Sequence, residues 1–156
     1  MDIDTSSFQD ESEIQGDDPE DTGLLREMAA EARGYIEDYE WCPPIENFHL
    51  ALGVGGIVAA FLVQFEEVIE GTEDDALWII VGDLPTAYVI VEPGDDGEAA
   101  LGRYCELMED WAFNVLKGNS LDESFPVAAE ATHENAEMLT QRIAFIRTEI
   151  LELGEG

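Results

Sequence analysis

The chain has 156 residues, 46% of them hydrophobic, which is the length and composition of one ordinary folded domain. Its charge is extreme, because 37 Asp and Glu face only six Lys and Arg, for a formal net charge of −31. Nucleic acids and anionic membranes are bound through clustered Lys and Arg, so this composition excludes direct binding to either.

So large a charge works against folding. Spread over the surface of a globule of this size, neighbouring net charges lie about 16 Å apart and repel by about 0.25 kcal/mol per pair in water. Dozens of such pairs cost several kcal/mol, a large share of a typical folding free energy. We therefore expect high salt or a cationic partner to relieve the repulsion.

The cysteines and the apolar segments indicate a cytoplasmic protein. Cys42 and Cys105 are the only cysteines, and they form no CxxC motif. We expect no secretory signal, since no basic segment followed by an apolar one opens the chain. Residues 50–63 are uncharged, but these 14 residues fall short of the roughly 20 needed to span a bilayer. The thiols are therefore expected to be reduced.

The first half of the chain opens with a polar segment. Residues 1–22 carry nine acids and no basic residue, which predicts a disordered or loosely attached tail before a single domain over 23–156. An apolar stripe then predicts a helix over 24–40, capped by Asp21 or Thr22 and ended by the following prolines. A short helix from Pro44 to about Leu52 is expected next.

The middle of the chain reads as strands. Residues 55–65 are a short apolar run that a strand or a buried helix could explain, and a strand is favoured because two clearer strands follow. Those are 76–81 and 86–91, which are dense in β-branched and aromatic residues. The intervening Gly-Asp-Leu-Pro of 82–85 predicts a hairpin.

Two amphipathic helices are predicted in the last third, over 98–116 and 132–151, the second with Thr132 as its N-cap. Ser120 and Glu123 have the spacing of a capping box. Together the elements predict an α+β fold in which three to four helices cover a small antiparallel sheet of about three strands.

The segment from Trp78 to Tyr88 carries the pattern W-x-x-x-G-D-L-P-x-x-Y. Followed by an acidic turn and a Trp-bearing helix, it resembles an uncharacterised family of small bacterial proteins with a hairpin of this kind. The likeness covers roughly residues 76–115, and it departs from the family pattern at Ala87, where that family tends to have an acid. The resemblance implies a bacterial origin and the strand–GDLP–strand arrangement, and no activity.

Several patterns suggest chemistry, and each has a simpler explanation. Gly53-Val54-Gly55-Gly56 lacks the third glycine of a dinucleotide loop, so a turn or close packing is favoured. The acid pairs Glu66-Glu67, Asp74-Asp75 and Asp95-Asp96 lack the alternating ligand positions of a Ca²⁺ loop. Neither cysteine has the electropositive setting of a nucleophile, and Cys105 fits a helix core. The sequence therefore predicts no cofactor and no enzyme.

A metal site is the remaining chemical alternative. Two Glu-x-x-His units occur, and di-iron helix bundles use this spacing to place both side chains on one helix face. With 37 acids in the chain, such spacing is nearly expected by chance. The alternative ligands are Glu46, His49, Glu130 and His133.

Three functions remain open. The first is a binding protein that inhibits or sequesters a basic protein partner, as an immunity protein for a nuclease toxin or as a nucleic-acid mimic. The second is salt adaptation, in which the acidity reflects a saline cytoplasm; the third is the metal protein or enzyme. The sequence sets no oligomeric state. The candidate partner contacts, chosen for charge density and for an exposed-looking Trp, are Glu66, Glu67, Glu70, Asp74, Asp75, Asp95, Asp96 and Trp41.

Overall fold

The computed structural model describes residues 5–122, 127 and 130–150. In this part of the chain, five strands form one antiparallel sheet and three α-helices accompany it, which confirms the α+β class. The elements are β1 (Gln9–Asp10), α1 (Pro19–Glu37), β2 (Ile45–Val54), β3 (Val58–Phe65), β4 (Ala76–Gly82), β5 (Ala87–Ile90), α2 (Gly97–Lys117) and α3 (His133–Phe145). A 3-10 turn covers Glu11–Glu13, and a π-helical turn covers Ile146–Ile150.

The contacts of the chain group into two compact units, Met1–Ala100 and Leu101–Gly156. The first unit contains the whole sheet and α1, and the second contains α3 and most of α2. None of the helices in the described ranges is long and apolar enough to cross a membrane.

The sheet is a simple meander, since its strand order β1-β2-β3-β4-β5 follows the chain and every neighbouring pair is antiparallel. The three predicted strands are confirmed as β3, β4 and β5, and the Gly-Asp-Leu-Pro segment joins the last two. β3 and β4 are buried on both faces, as their runs of β-branched and aromatic residues require.

The predicted short helix over 44–52 is wrong, because this segment is β2, the longest strand of the sheet. Phe48 and Leu50 are buried on the face towards α1, as expected for a strand with period two. Register shifts near Glu46 and Ala51 interrupt the alternation of β2 against β3. These bulges hide the strand pattern of β2. With β2 and the two-residue β1, the predicted sheet of about three strands is corrected to five.

Part of the acidic N-terminal segment is structured, in contrast to the predicted tail. Ile14 is fully buried in the core, and Asp10 pairs with His49 across β1 and β2. Hydrogen bonds from the side chain and backbone of Ser12 hold the pKa of Asp10 below its usual range. The Glu11 carboxylate pairs with Arg33 of α1. One buried side chain and several local hydrogen bonds thus order a segment whose composition alone predicts disorder.

The predicted first helix is confirmed as α1, which begins earlier than expected. Asp18, instead of Asp21 or Thr22, is the N-cap, and its carboxylate accepts the Asp21 N–H at 2.8 Å, while Pro19 takes the first helical position. The buried stripe that packs on one face of the sheet is Leu25, Met28, Ala29, Ala32 and Ile36.

Asp21 connects three segments of the first unit. Its carboxylate accepts the N–H of Gly55 at 2.8 Å and that of Asp17 at 2.9 Å. A Cβ at Gly55 would lie 2.4 Å from Asp21 Oδ1, and one at Gly82 would lie 2.1 Å from the carbonyl oxygen of Ile57. Gly55 and Gly82 therefore serve close packing beside the strand turns. Of the Gly53–Gly56 run, Gly53 and Val54 end β2, and Gly55 and Gly56 begin the turn to β3.

The two helices predicted in the last third are confirmed as α2 and α3. Thr132 is the N-cap of α3, since its hydroxyl accepts the Asn135 N–H at 3.1 Å. Gly118, at φ +71, follows the end of α2. Glu123, half of the proposed capping box, lies outside the described residues, as does Leu151.

Candidate partner-binding site

The meander brings the separate acidic segments to one end of the sheet. At this end β2 and β4 begin, and β3 and β5 finish. The strand register places these strand ends side by side, through the residue pairs Ile45–Phe65, Gln64–Ala76 and Leu77–Ile90. The connecting segments are thus neighbours, and we call residues 37–46, 66–75 and 91–96 together the acidic end. The Glu66 N–H donates to the Pro44 carbonyl at 2.9 Å, which ties two of these segments together.

The acidic end has no basic residue of its own. Between residues 34 and 102 the chain has fifteen acids and no Lys or Arg, and thirteen of those acids lie in the acidic end. All eight candidate contacts predicted from the sequence fall within it. Charge that looks evenly spread along the chain is therefore concentrated here without internal compensation.

The 66–75 loop presents its carboxylates from a fixed backbone. Glu66, Glu67 and Glu70 are exposed, while Asp74 and Asp75 are half-buried. Two backbone bonds of 2.8 Å, from Phe65 N–H to the Asp75 carbonyl and from Ile69 N–H to the Asp74 carbonyl, extend the β3–β4 ladder into the loop.

The Thr72 hydroxyl closes the tip of the same loop. It accepts the Asp74 N–H at 3.0 Å and donates to the Ile69 carbonyl at 2.8 Å. Ile69 is itself buried, which anchors the loop to the core. A loop held by such internal contacts loses less conformational entropy on binding a partner than an unconstrained one.

Asp95 and Asp96 are engaged within the fold. Asp95 is only 9% exposed, and its Oδ2 accepts the Trp78 Nε1–H and the Glu92 N–H, each at 2.9 Å. Asp96 is exposed, and its Oδ1 accepts the Ala99 N–H at 2.8 Å in the first turn of α2. The sequence prediction chose both residues for local charge density. These hydrogen bonds give them structural roles, which charge density does not indicate.

Trp41 lies in an aromatic cluster that also contains Tyr35, Tyr39 and Tyr88, all four partly exposed. Trp41 stacks on Tyr39 with ring centroids 4.8 Å apart, and Tyr88 meets both rings at steep angles, at 5.5 and 5.6 Å. Tyr35 packs edge-on against Tyr39 at 5.5 Å. The sequence prediction named only Trp41. Tyr35 lies in α1, Tyr39 lies in the segment just after it, and Tyr88 lies in β5, which the fold brings beside the other three rings.

The polar groups of the cluster are held in their neutral forms. The Tyr39 hydroxyl donates to the Tyr35 hydroxyl at 3.2 Å. Burial raises the pKa of the Tyr35 and Tyr88 hydroxyls. Burial, and then the charge of Glu37, raises the pKa of the neighbouring Cys42 thiol, so this cysteine is not set up as a thiolate nucleophile.

Apolar side chains are also exposed at this end. Val68 in the 66–75 loop is 51% exposed, and Ile90, the last residue of β5, is 59% exposed. Protein interfaces combine a desolvated apolar centre with a polar rim. The acidic end has both kinds of surface.

The alternative metal ligands lie on different kinds of structure. Glu46 and His49 are on β2, where Glu46 is exposed and the buried Nδ1 of His49 has no hydrogen-bond partner among the described atoms. Glu130 precedes the Thr132 N-cap, and His133 is the first residue of α3. Neither Glu-x-x-His unit therefore shares a helix face, the arrangement that suggested it. Within the described ranges, no three His, Cys, Asp or Glu side chains are grouped to hold a metal ion.

Comparison with known proteins gives no match: no family model fits the chain, and no curated protein or solved structure is significantly similar to it. The resemblance of residues 76–115 to a family of small bacterial proteins therefore stays a prediction.

Proposed function

We propose that this chain is a non-enzymatic binding protein that inhibits or sequesters a basic protein partner, which it contacts through the acidic end. The observation that carries the proposal is the convergence of Trp41 and the two acidic loops at one end of the sheet, in a stretch of chain without Lys or Arg. Segments up to about fifty residues apart in sequence contribute to a single surface there.

The physics of such a surface favours fast and durable capture of a cation-rich protein. A concentrated negative field accelerates encounter with a basic surface by 10- to about 1,000-fold at low salt. Close charge pairs then slow dissociation once they are desolvated. The ordered 66–75 loop lowers the entropic cost of binding, and the exposed Val68 and Ile90 supply apolar contact area.

Two kinds of partner fit this chemistry. One is a nuclease toxin, whose active site is basic because it binds nucleic acid, so that this chain would serve as its immunity protein. The other is a nucleic-acid-binding protein whose phosphate-binding surface the carboxylates would occupy. A bacterial, cytoplasmic setting is part of the proposal, and the two free cysteines support it.

Salt adaptation is the second candidate, and one observation favours it. Glu20, Glu27 and Glu31 are exposed on α1, outside the acidic end. Acidity is therefore not confined to one surface. A protein adapted to a saline cytoplasm would carry such a general acidic shell without a specific partner.

Affinity capture from nuclease-treated host lysate tests the first proposal with three baits. These are the wild-type chain, the triple variant Glu66→Gln/Glu67→Gln/Glu70→Gln, and a control that removes the same charge from α1, Glu20→Gln/Glu27→Gln/Glu31→Gln. We expect one basic protein to be retained in stoichiometric amount by the wild type and by the control, and to elute at a lower salt step from the acidic-end variant.

Two outcomes contradict the proposal. If nothing stoichiometric is retained by the wild type, there is no partner of this kind. If both triple variants lose the partner equally, total charge matters and the acidic end does not.

Urea unfolding in dilute buffer and in molar KCl separates the second candidate from the first. A partner-directed protein should already be compact in dilute buffer, whereas a salt-adapted one should become compact only in molar KCl. A urea midpoint that does not change with salt removes salt adaptation.

A further inference from the structure

The aromatic cluster at the acidic end consists of four rings that pack against one another. Its rings come from the C-terminal turn of α1, the segment that follows it, and β5. The Trp41–Tyr39 stack has an interplanar angle of 28°, and Tyr88 stands at 67° to Trp41 and 85° to Tyr39. Each ring is therefore held by at least two others, although all four remain partly exposed.

The end of α1 beside these rings is electrostatically unbalanced. The carboxyl end of a helix carries a partial negative charge, which basic residues normally offset. Here the last turn of α1 has no basic residue. Glu37 is paired with Arg33 one turn earlier, but the exposed acids Asp38 and Glu40 follow directly after the helix. The site is thus unfavourable for the chain alone and favourable for an added cation.

Arg33, one turn before the end of α1, already has its own partners. The Arg33 guanidinium lies 5.3 Å from the ring centroid of Phe48 and bonds to Glu11 and Glu37. Among the described residues, Arg33 lies over the ring of Phe48 and Lys117 over the ring of Phe113. In the same part of the chain, no cation lies over a ring of the aromatic cluster.

We infer that the aromatic cluster, with Asp38 and Glu40 beside it, is a subsite for an arginine side chain of the partner. The inference rests on the proposed function and names the group that the acidic end recognises. A planar guanidinium stacks on Trp and Tyr rings while donating to carboxylates, whereas a Lys ammonium is a strongly hydrated point charge. The subsite therefore selects arginine over lysine at equal charge.

Two short peptides of equal length and charge test this selectivity with the full-length chain. One alternates arginine with glycine, and the other alternates lysine with glycine. We expect the wild type to bind the arginine peptide about 3- to 10-fold more tightly at low salt. Trp41→Leu should remove most of this preference, and Trp41→Phe, which keeps a ring, should retain part of it.

Phe113→Leu is the matched control, because Phe113 is an aromatic residue, 55% exposed, and outside the acidic end. It should leave the arginine preference unchanged. Binding of the arginine peptide should also shift Trp41 emission, since Trp78 and Trp111 are buried and respond less. If Trp41→Leu proves unfolded by circular dichroism, Asp38→Asn/Glu40→Gln should weaken the arginine peptide more than the lysine peptide.

The outcomes separate the subsite from the function that it serves. Equal affinity of the wild type for both peptides overturns the subsite and leaves the binding function standing. An arginine preference that survives in Trp41→Leu does the same. Where Trp41→Leu is unfolded, a preference that survives in Asp38→Asn/Glu40→Gln takes its place as the contradicting result. Failure of the wild type to bind either peptide overturns both.

Discussion

Replacement of Asp95 tests whether a buried hydrogen bond outweighs charge repulsion in this protein. The Asp95 carboxylate accepts from the indole of Trp78, which is fully buried, and from the backbone of Glu92. Asp95→Ala removes the Oδ2 that accepts both bonds and leaves the Trp78 Nε1–H inside the fold without this acceptor. Asp95→Asn keeps an amide oxygen in place but removes the negative charge.

Two effects of opposite sign decide the result. A hydrogen bond to a charged group contributes about 1.5–3 kcal/mol, and an orphaned buried donor costs about 1–3 kcal/mol. Both figures describe the loss of the same bonds and are not added, so the lost hydrogen bonding in Asp95→Ala should cost about 3 kcal/mol of stability. Removing one charge relieves about 0.25 kcal/mol per neighbouring pair before screening, or about 1 kcal/mol in total. The lost hydrogen bonds outweigh the relieved repulsion, so the net loss of stability in Asp95→Ala should be about 2 kcal/mol. Asp95→Asn should also destabilise, by about 1 kcal/mol.

Urea unfolding of the variants, followed by circular dichroism, measures these differences as shifts in midpoint at constant slope. Glu70→Gln is the control, because it removes the same charge from an exposed position in the acidic end and should be neutral or slightly stabilising. A double-mutant cycle with Trp78→Phe should show a coupling of about 1–2 kcal/mol. If Asp95→Asn stabilises the protein as Glu70→Gln does, repulsion outweighs the hydrogen bonds and the reasoning is refuted.

Three further predictions concern stability. Asp21→Ala should lower the free energy of unfolding by about 2 kcal/mol, because the N–H groups of Gly55 and Asp17 lose the carboxylate that accepts them. Glu20→Ala should change it by under about 0.5 kcal/mol, and equal urea midpoints of the two variants would contradict this. Gly82→Ala should cost at least about 3 kcal/mol, since its Cβ meets backbone, and Gly71→Ala, at φ +85 in open space, only about 1 kcal/mol; thermal unfolding compares them. Burial raises the pKa of Cys105 from 9.0 to about 11, so stability should fall as pH rises through this window, and a fall just as steep in Cys105→Ala would disprove that origin.

Local patterns predicted the regular elements well, because their signals are contained within each segment. The α1 stripe and the β-branched and aromatic runs of β4 and β5 already indicate a helix and strands, and the structure confirms them. The apolar run of β3 fits a strand or a buried helix by itself, and the two strands that follow it favoured the strand. β2 was missed because its bulges break the alternation that marks a strand. β1 was missed because two residues carry no periodicity, and only pairing with β2 defines it.

The candidate site shows the same division. Its charge and Trp41 were evident from the sequence, since composition is a local property. The tyrosines were not connected with Trp41, although Tyr35 and Tyr39 end the α1 stripe just before it, and that proximity was the available signal. Asp95 could not be told from its neighbours, because a hydrogen bond to a residue seventeen positions away leaves no trace in charge density.

The sequence by itself determined that this protein is acidic and indicated its α+β class, because net charge and periodicity survive any arrangement of the elements. Only the tertiary structure decided which acids share a surface and which accept hydrogen bonds inside the fold. Strand order and register set those neighbours, and both depend on pairings between residues far apart in the chain.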